Sequence, residues 1–315
     1  MTDSTDATGR AEWDRVERYL GHDALSRLAG KSVAIVGLGS GGGFVAQTLA
    51  MSGVGRFVLI DDDHIEASNV VRHVADSRYL QMPKVEGVAD LIRHRNPQAE
   101  VQPVFGRLSD SLDALDGVDL IISGVDGERA KYEINVAARA RGLTAVYAGV
   151  YERGEGGDVV LIRPTPDSPC YACWAERLRE NVAEAIPSES ELDYGMIGPD
   201  GTIAAEPGLW LHVVRVAAAQ ADIALNELLL GLPIHREFPA NTVILANVEL
   251  EVFEGIVIPP YSAQWIDVAR NRECLVCGDS HKAAAQSLDE LAGDLLVDDN
   301  RQNQGRNSGK SGKMS

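Results

Sequence analysis

Between Val33 and Lys84 the chain places a glycine-rich run, Gly37-Leu38-Gly39-Ser40-Gly41-Gly42, then Asp61, then Asn69, Arg72 and Lys84. Glycines at Gly37, Gly39, Gly41 and Gly42 let a backbone turn tightly and approach phosphate oxygens, and a helix starting there offers unpaired N–H groups to an anion. Asp61 stands 19 residues past Gly42, where a carboxylate reaches ribose hydroxyls. Asn69 and Arg72 fall in a polar loop beyond the second strand. A loop arginine is commonly just solvated, but a guanidinium facing the glycine turn clamps phosphates through bidentate donors. Lys84 opens a helical pattern directly after Pro83. Helix starts favour acids over cations, so a lysine there points to a nearby anion. Asp126 follows the run Asp119–Ser123 and precedes a helical pattern. It serves either as an N-cap or as a carboxylate at the end of a parallel strand, where Mg²⁺ on bound phosphates would be held. Together these groups describe ATP with its α-phosphate exposed to attack. Arg72, Lys84 and Mg²⁺ would neutralise charge on phosphorus and on departing pyrophosphate. An attacking carboxylate needs no general base, so the chemistry read from the residues is adenylyl transfer to a carboxylate.

A second constellation is cysteinic. Cys170/Cys173 and Cys274/Cys277 form two Cys-x-x-Cys pairs roughly 100 residues apart. Two bidentate thiolate clamps suit tetrahedral Zn²⁺ at a closed structural site, with no open position for catalysis. Buried thiols or a redox pair are the plainer alternatives. The two pairs account for all four cysteines, which leaves no further thiol as a covalent acceptor.

The elements that must position these residues alternate along the chain. Helical spacing over 12–28 (Trp13, Val16, Leu20, Leu25, Leu28) carries Arg15 and Arg18. Strand 32–37, helix 42–52, strand 56–60, helix 84–95, strands 101–105 and 118–122, helix 128–141 and strand 144–149 follow. Strands joined by helices imply an α/β, Rossmann-like, doubly wound and mostly parallel sheet. Gly157–Arg163 reads as a further strand, 165–174 as a proline-rich turn bearing the first cysteine pair, and 208–230 as a helix. Runs 241–248 and 250–258 read as C-terminal antiparallel strands extending the sheet beside the zinc site. Residues 1–9 are expected to be disordered, 10–30 to form a helical arm, and 31–165 the nucleotide-binding domain. Residues 166–280 are expected to hold a crossing segment (176–206), helix, partner-binding strands and zinc site, with 281–315 a largely disordered tail.

With 315 residues, 45% hydrophobic and 24% charged, the chain can bury a sizeable core. A formal net charge of -18 argues against a nucleic-acid partner, which needs a basic surface. The apolar stretch 209–230 is interrupted by His212, Arg215, Gln220, Asp222 and Glu227, so no membrane span is expected. Residues 1–30 lack an apolar signal segment, and with paired cysteines this predicts a cytoplasmic protein.

The order of these motifs resembles the E1-like adenylating enzymes, the ubiquitin-activating enzymes and their ThiF-, MoeB- and HesA-type bacterial relatives. It covers about residues 12–280 and rests on Gly37–Gly42, Asp61-x-Asp63, Ser68-Asn69-x-x-Arg72-His73, Lys84, Asp126, Ser168-Pro169-Cys170-x-x-Cys173 and Cys274-x-x-Cys277. The resemblance implies a homodimer that uses ATP and Mg²⁺ to adenylate the C-terminal glycine of a ubiquitin-like or ThiS/MoaD-type sulfur-carrier protein. It implies Asp61 on ribose, with Asp63 in the ATP site. Asn69, Arg72 and Lys84 would address the phosphates, Asp126 would hold Mg²⁺, and Arg15 or Arg18 would reach the partner subunit's ATP. Three positions depart from the family pattern. Ser40 replaces a common glycine, Gly127 follows Asp126 where asparagine is usual, and 176–206 has no cysteine. The last favours an enzyme that stops at the acyl-adenylate. Alternatives on the same fold are a tRNA-modifying dehydratase, a peptide adenylyltransferase and a non-catalytic scaffold. An NAD-dependent oxidoreductase would leave Arg72 and Lys84 unexplained.

Overall fold

The computed structural model describes residues 4–182, 209–253 and 255–279. Two compact units divide between Ala269 and Arg270. In the first, α1 (Ser4–Leu20) and α2 (His22–Ala29) lead into β1 (Ser32–Val36), α3 (Ser40–Met51), β2 (Arg56–Asp61), α4 (Lys84–Arg95) and β3 (Glu100–Phe105). Then come β4 (Leu120–Ser123), α5 (Glu128–Arg141), β5 (Thr144–Val150), β6 (Gly156–Ile162) and α6 (Tyr171–Val182). The last are α7 (Trp210–Leu228), β7 (Thr242–Ala246), β8 (Leu250–Phe253), β9 (Ile256–Ile258) and β10 (Ala263–Ile266).

The main sheet runs β10-β7-β6-β5-β4-β1-β2-β3. β3, β2, β1, β4 and β5 are parallel, and β6, β7 and β10 add antiparallel pairings. The expected architecture is present, a parallel half extended by antiparallel strands, but of the two late runs only 241–248 joins it: 250–258 folds into a separate β8–β9 pair, and β10 takes the sheet edge instead. The central strands are apolar on both faces, β1 being buried at every position, because helices cover both sides. One core packs Ile35, Leu49, Leu59, Val88 and Ala224 among sheet, α3, α4 and α7. The other packs Ala34, Ile60, Ile121, Ile134, Tyr147 and Tyr171 beneath α5 and α6.

Three local expectations are corrected. Helix begins at Ser4, inside the stretch 1–9 expected to be disordered, since between Ser4 and Leu20 only Gly9 weakens an otherwise unbroken run of helix-compatible residues. The expected helix 12–28 is two helices, broken at Gly21, whose φ of 85° leaves the helical region. The turn 165–174 ends early: α6 starts at Tyr171 and takes in the first residues of the expected crossing segment. Tyr171 stacks on Tyr147 of β5 (ring centroids 4.6 Å apart), a tertiary driving force invisible in the local Pro-Cys pattern, and within the helix it stacks on Trp174 (5.5 Å). The remainder of that segment, 183–206, and the tail 281–315 lie outside the described residues.

Candidate active site

β1 lies between β2 and β4, so the chain leaving β1 goes one way to β2 while β4 lies on the other side. This reversal opens a crevice at the strands' carboxyl ends, where doubly wound sheets take ligands. A cleft of about 900 Å³ occupies it, walled by Gly39–Gly42, by the loop from Asp63 to His73, by Ser123–Asp126, and by α7 and the end of β5.

The glycine turn is built by close backbone contact. Gly37 has φ 87°, and a Cβ on Gly42 would fall on the Gly37 carbonyl oxygen. Gly124, at the end of β4, meets the same carbonyl, so three segments converge where no side chain fits. Leu38 between them is fastened on both sides. Its N–H donates to Asp61 Oδ2 at 2.6 Å, and its carbonyl accepts from His73 Nε2 at 2.6 Å. α3 then begins at Gly39 with no side-chain cap and no acid in its first turn, leaving its N-terminal N–H groups for an anion.

The polar residues expected to act together line this cleft: Asp63, Asn69, Arg72, Lys84 and Asp126, with Gly39, Gly41 and Gly42. Arg72 Nη1 lies 3.3 Å from Ser40 Oγ at the start of α3, which ties the guanidinium to the glycine turn. Lys84 Nζ lies 2.6 Å from Asp63 Oδ2, and its side chain is 12% exposed. Asp63 therefore holds the ammonium at the cleft edge. Asn69 Oδ1 accepts from Glu66 N–H and shapes the loop. Asp126 is exposed in the β4–α5 loop. Two expected residues stand behind the wall. Gly37 forms the turn itself, and Asp61 accepts from Leu38 and, at 2.8 Å, from Asp63 N–H. Burial, chiefly, raises the Asp61 carboxyl above its ordinary value, against the lowering by the Leu38 N–H. Arg15 and Arg18 lie on α1, Arg18 pairing with Asp14 at 2.9 Å, and neither lines this chain's cleft.

Several residues were missed by sequence reasoning. His73 stood in the quoted motif without a role, although buried polarity beside a glycine turn was its only signal. Its Nε2–H donates to Leu38 while Nδ1 accepts from Ala75 N–H at 2.9 Å, which requires the neutral ring. Burial holds its pKa below the usual value. Unfolding restores ordinary basicity, so stability from this ring is complete above about pH 6.5 and is lost as pH falls below it. Asp158 acts oppositely: burial raises its pKa to about 7, and its contribution declines as pH rises from about 4 to 7. The comparison is therefore variant against wild type. His73→Gln is expected to lose less thermal stability than wild type between pH 6.5 and 5, measured by unfolding midpoint. Equal losses would remove His73 from this role. Gln220, buried on α7, donates to the Ser123 and Val146 carbonyls at 2.9 and 3.0 Å and pins α7 against the strand ends. Lys131 also lines the cleft.

All four cysteines are buried, one pair in each unit. Cys170 and Cys173 Sγ are 3.9 Å apart, beyond any disulfide and close to the ~3.8 Å between two thiolates on one tetrahedral zinc. In the second unit, Val276 N–H points to Cys274 Sγ at 3.4 Å, Gly278 N–H donates to the Cys274 carbonyl, and Arg270 donates to the Cys277 carbonyl and to Asp279. These bonds shape a tight loop around the second cysteine pair. No described helix is long and apolar enough to cross a membrane.

Comparison with known proteins agrees with this geometry. The chain is 34% identical over 181 residues to the SAMP-activating enzyme E1 of Haloferax volcanii, covering 55% of this chain and 64% of that one. It is 34% identical over 264 residues to the adenylyltransferase and sulfurtransferase UBA4 of Yarrowia lipolytica, covering 83% and 59%. Against the sulfur carrier protein ThiS adenylyltransferase of Escherichia coli it is 28% identical over 265 residues, covering 82% and 90%. The chain thus spans less than two thirds of the length of the first two relatives. Among solved structures, E. coli MccB shares the fold with a TM-score of 0.59 at 19% identity, over 81% of this chain and 67% of that one. The model of the ThiF family matches residues 14–231, and the chain belongs to that family.

Proposed function

We propose that this chain transfers AMP from ATP to the C-terminal glycine carboxylate of a ubiquitin-like or sulfur-carrier protein, releasing pyrophosphate. The observation that carries the reading is the meeting of an uncapped α3 N-terminus, Arg72, Lys84, Asn69 and Asp126 on one cleft. Named relatives activate SAMP or adenylate ThiS, which supports a protein carboxylate as acceptor. In this reading the glycine turn and α3 receive the triphosphate, Arg72 reaches the phosphates from beside Ser40, and Lys84 is aimed by Asp63. Asp61 orders the turn and keeps a lone pair on each oxygen for a ribose hydroxyl. Asp126, a carboxylate open to the cleft, suits Mg²⁺, a hard cation that takes oxygen ligands. When bound, that ion would neutralise phosphate charge. A carboxylate oxygen attacks the α-phosphorus, the bond to the bridging oxygen of the β-phosphate breaks, and pyrophosphate departs with the electron pair. Arg72 and Lys84 stabilise the charge that develops.

The cysteine pairs suit a structural zinc. Metal analysis is expected to find about one zinc per chain, with Cys274→Ser lowering both the zinc content and the unfolding midpoint. Full stability of the zinc-free chain would contradict it. With both pairs so engaged, the chain stops at the acyl-adenylate. Arg15 and Arg18, outside their own cleft, support a homodimer in which α1 supplies an arginine to the partner's ATP. The paired cysteines support a reducing cytoplasm.

The direct test is mass spectrometry of small β-grasp proteins ending in Gly-Gly after incubation with the chain, ATP and Mg²⁺. One of them is expected to gain the mass of an adenylyl group. ATP binding with no such gain across the panel would favour the scaffold reading.

A further inference from the structure

The cleft has a second cationic pole that the phosphate site does not use. Three lysine or arginine residues line it: Arg72, Lys84 and Lys131. The first two belong to the β2 side and are engaged, one at Ser40 and one at Asp63. Lys131 lies on α5, beyond β4, and is 8% exposed. Among the described residues its ammonium has no hydrogen bond and no carboxylate within 4 Å, and the Tyr171 ring lies 6.0 Å below it. It also occupies the start of α5, a helix whose N-terminus has no side-chain cap, where the backbone dipole disfavours a cation.

A buried ammonium without a close partner is costly. Asp158, 4% exposed on β6, is the opposite charge that acts on it. Burial raises that carboxyl well above its ordinary value against the lowering by the Lys131 ammonium, so Asp158 compensates the ammonium less fully than an exposed carboxylate would. The pair therefore lacks an anion on the cleft side.

The surroundings indicate which anion. On this side the wall is small and apolar: Ala148, Gly149 and Val150 at the end of β5, with Val213, Val216 and Ala217 on α7. Such a lining admits an extended chain without large side chains. The phosphate-binding groups sit across the glycine turn. A carboxylate arriving beside a triphosphate meets like charge, and a fixed, dry ammonium offsets that repulsion.

We propose that Lys131 binds the terminal carboxylate of the acceptor and presents it to the α-phosphate, a specificity-determining contact that rests on the adenylation reading above. Asp158, which accepts a hydrogen bond from the Tyr151 hydroxyl, acts beneath it as a positioning residue, with Tyr151 holding Asp158 in turn. A C-terminal amide or an internal side chain would lose the contact.

The experiment uses the full chain, α,β-methylene ATP, and a synthetic decapeptide ending in Gly-Gly as the free carboxylate or as the amide. Wild type is expected to bind the carboxylate at least about 10-fold more tightly than the amide. Lys131→Met should erase that preference while nucleotide affinity stays within about 2-fold, and Lys131→Arg should retain part of it. Unfolding midpoints establish that each variant is folded, and if Lys131→Met does not fold, Lys131→Arg and Asp158→Asn carry the comparison. Preference kept in Lys131→Met overturns the proposal, as does loss of nucleotide affinity in step with peptide affinity, which would place the ammonium on a phosphate. Nucleotide binding in wild type without carboxylate preference, up to millimolar peptide, overturns it too. Absence of nucleotide binding in wild type overturns instead the reading on which it rests.

Discussion

Lys84→Met is expected to lower ATP–pyrophosphate exchange at least about 100-fold, and Arg72→Ala by a similar factor, with little change in unfolding midpoint. A preorganised charge facing the developing charge of a transition state contributes about 2.7–4 kcal/mol. Lys84 meets the requirement for preorganisation: its side chain is 12% exposed and Asp63 fixes it at 2.6 Å. Asp63 is 65% exposed, so the pair itself adds little stability, and loss of Lys84 should register as loss of catalysis. Arg72 is fixed from the Ser40 side. Lys84→Arg should not restore full activity, because a planar fork replaces a compact charge. Asp63→Asn, which frees Lys84 without removing it, should cost about 10-fold. Exchange within about 3-fold of wild type in either the Lys84 or the Arg72 variant would mean the cations do not face the phosphates.

Gly42→Ala should damage both nucleotide binding and folding. The added methyl falls on the Gly37 carbonyl oxygen and lies 3.4 Å from Gly124 Cα. Both neighbours are backbone, held by the Gly37 N–H bond to Ile60 and the Gly124 N–H bond to Val36, and neither can swing aside. Overpacking of this kind costs about 1–3 kcal/mol, equivalent to a fall of roughly 1.5–4.5 °C in midpoint for a chain of this size. The displaced turn should weaken ATP binding by about 100-fold in calorimetry. Gly39→Ala is the internal contrast. Nothing lies within 4 Å of its added carbon and its φ is −69°, so its midpoint should match wild type. Equal midpoints for the two variants would refute the close-contact account of the turn.

Much of the fold was readable because local signals agreed with the tertiary outcome. Pro83 opens α4 at the expected residue, and Gly142, left-handed at φ 62°, closes α5 where the pattern ended. The five parallel strands are apolar runs because helices cover both faces. β10, only four residues with two exposed, carries no comparable run and was not foreseen. α6 is hidden in the sequence because Tyr171 stacks on Tyr147 of β5, a contact between distant segments.

The site divides in the same manner. Arg72, Lys84, Asn69 and Asp126 could be selected because their types are conspicuous beside a glycine turn. His73, Gln220, Lys131 and Asp158 act through burial, which depends on which strands become neighbours. The sequence places Lys131 among ordinary helix residues, and only the fold brings it within electrostatic reach of the buried Asp158 of β6 and onto the open cleft. Asp61 illustrates the reverse case: the acid was selected for a ligand, and it is found fastening the backbone that would receive that ligand.

In the proposed reaction the α-phosphorus is the atom exposed to attack, and a carboxylate attacks it. Labelled pyrophosphate exchange into ATP measures this directly, with the chain, ATP, Mg²⁺ and a β-grasp protein ending in Gly-Gly. Label is expected to enter ATP only when the partner's terminal carboxylate is free, and not when it is amidated. Exchange without any partner, or conversion of ATP to ADP and phosphate in its place, would contradict the account.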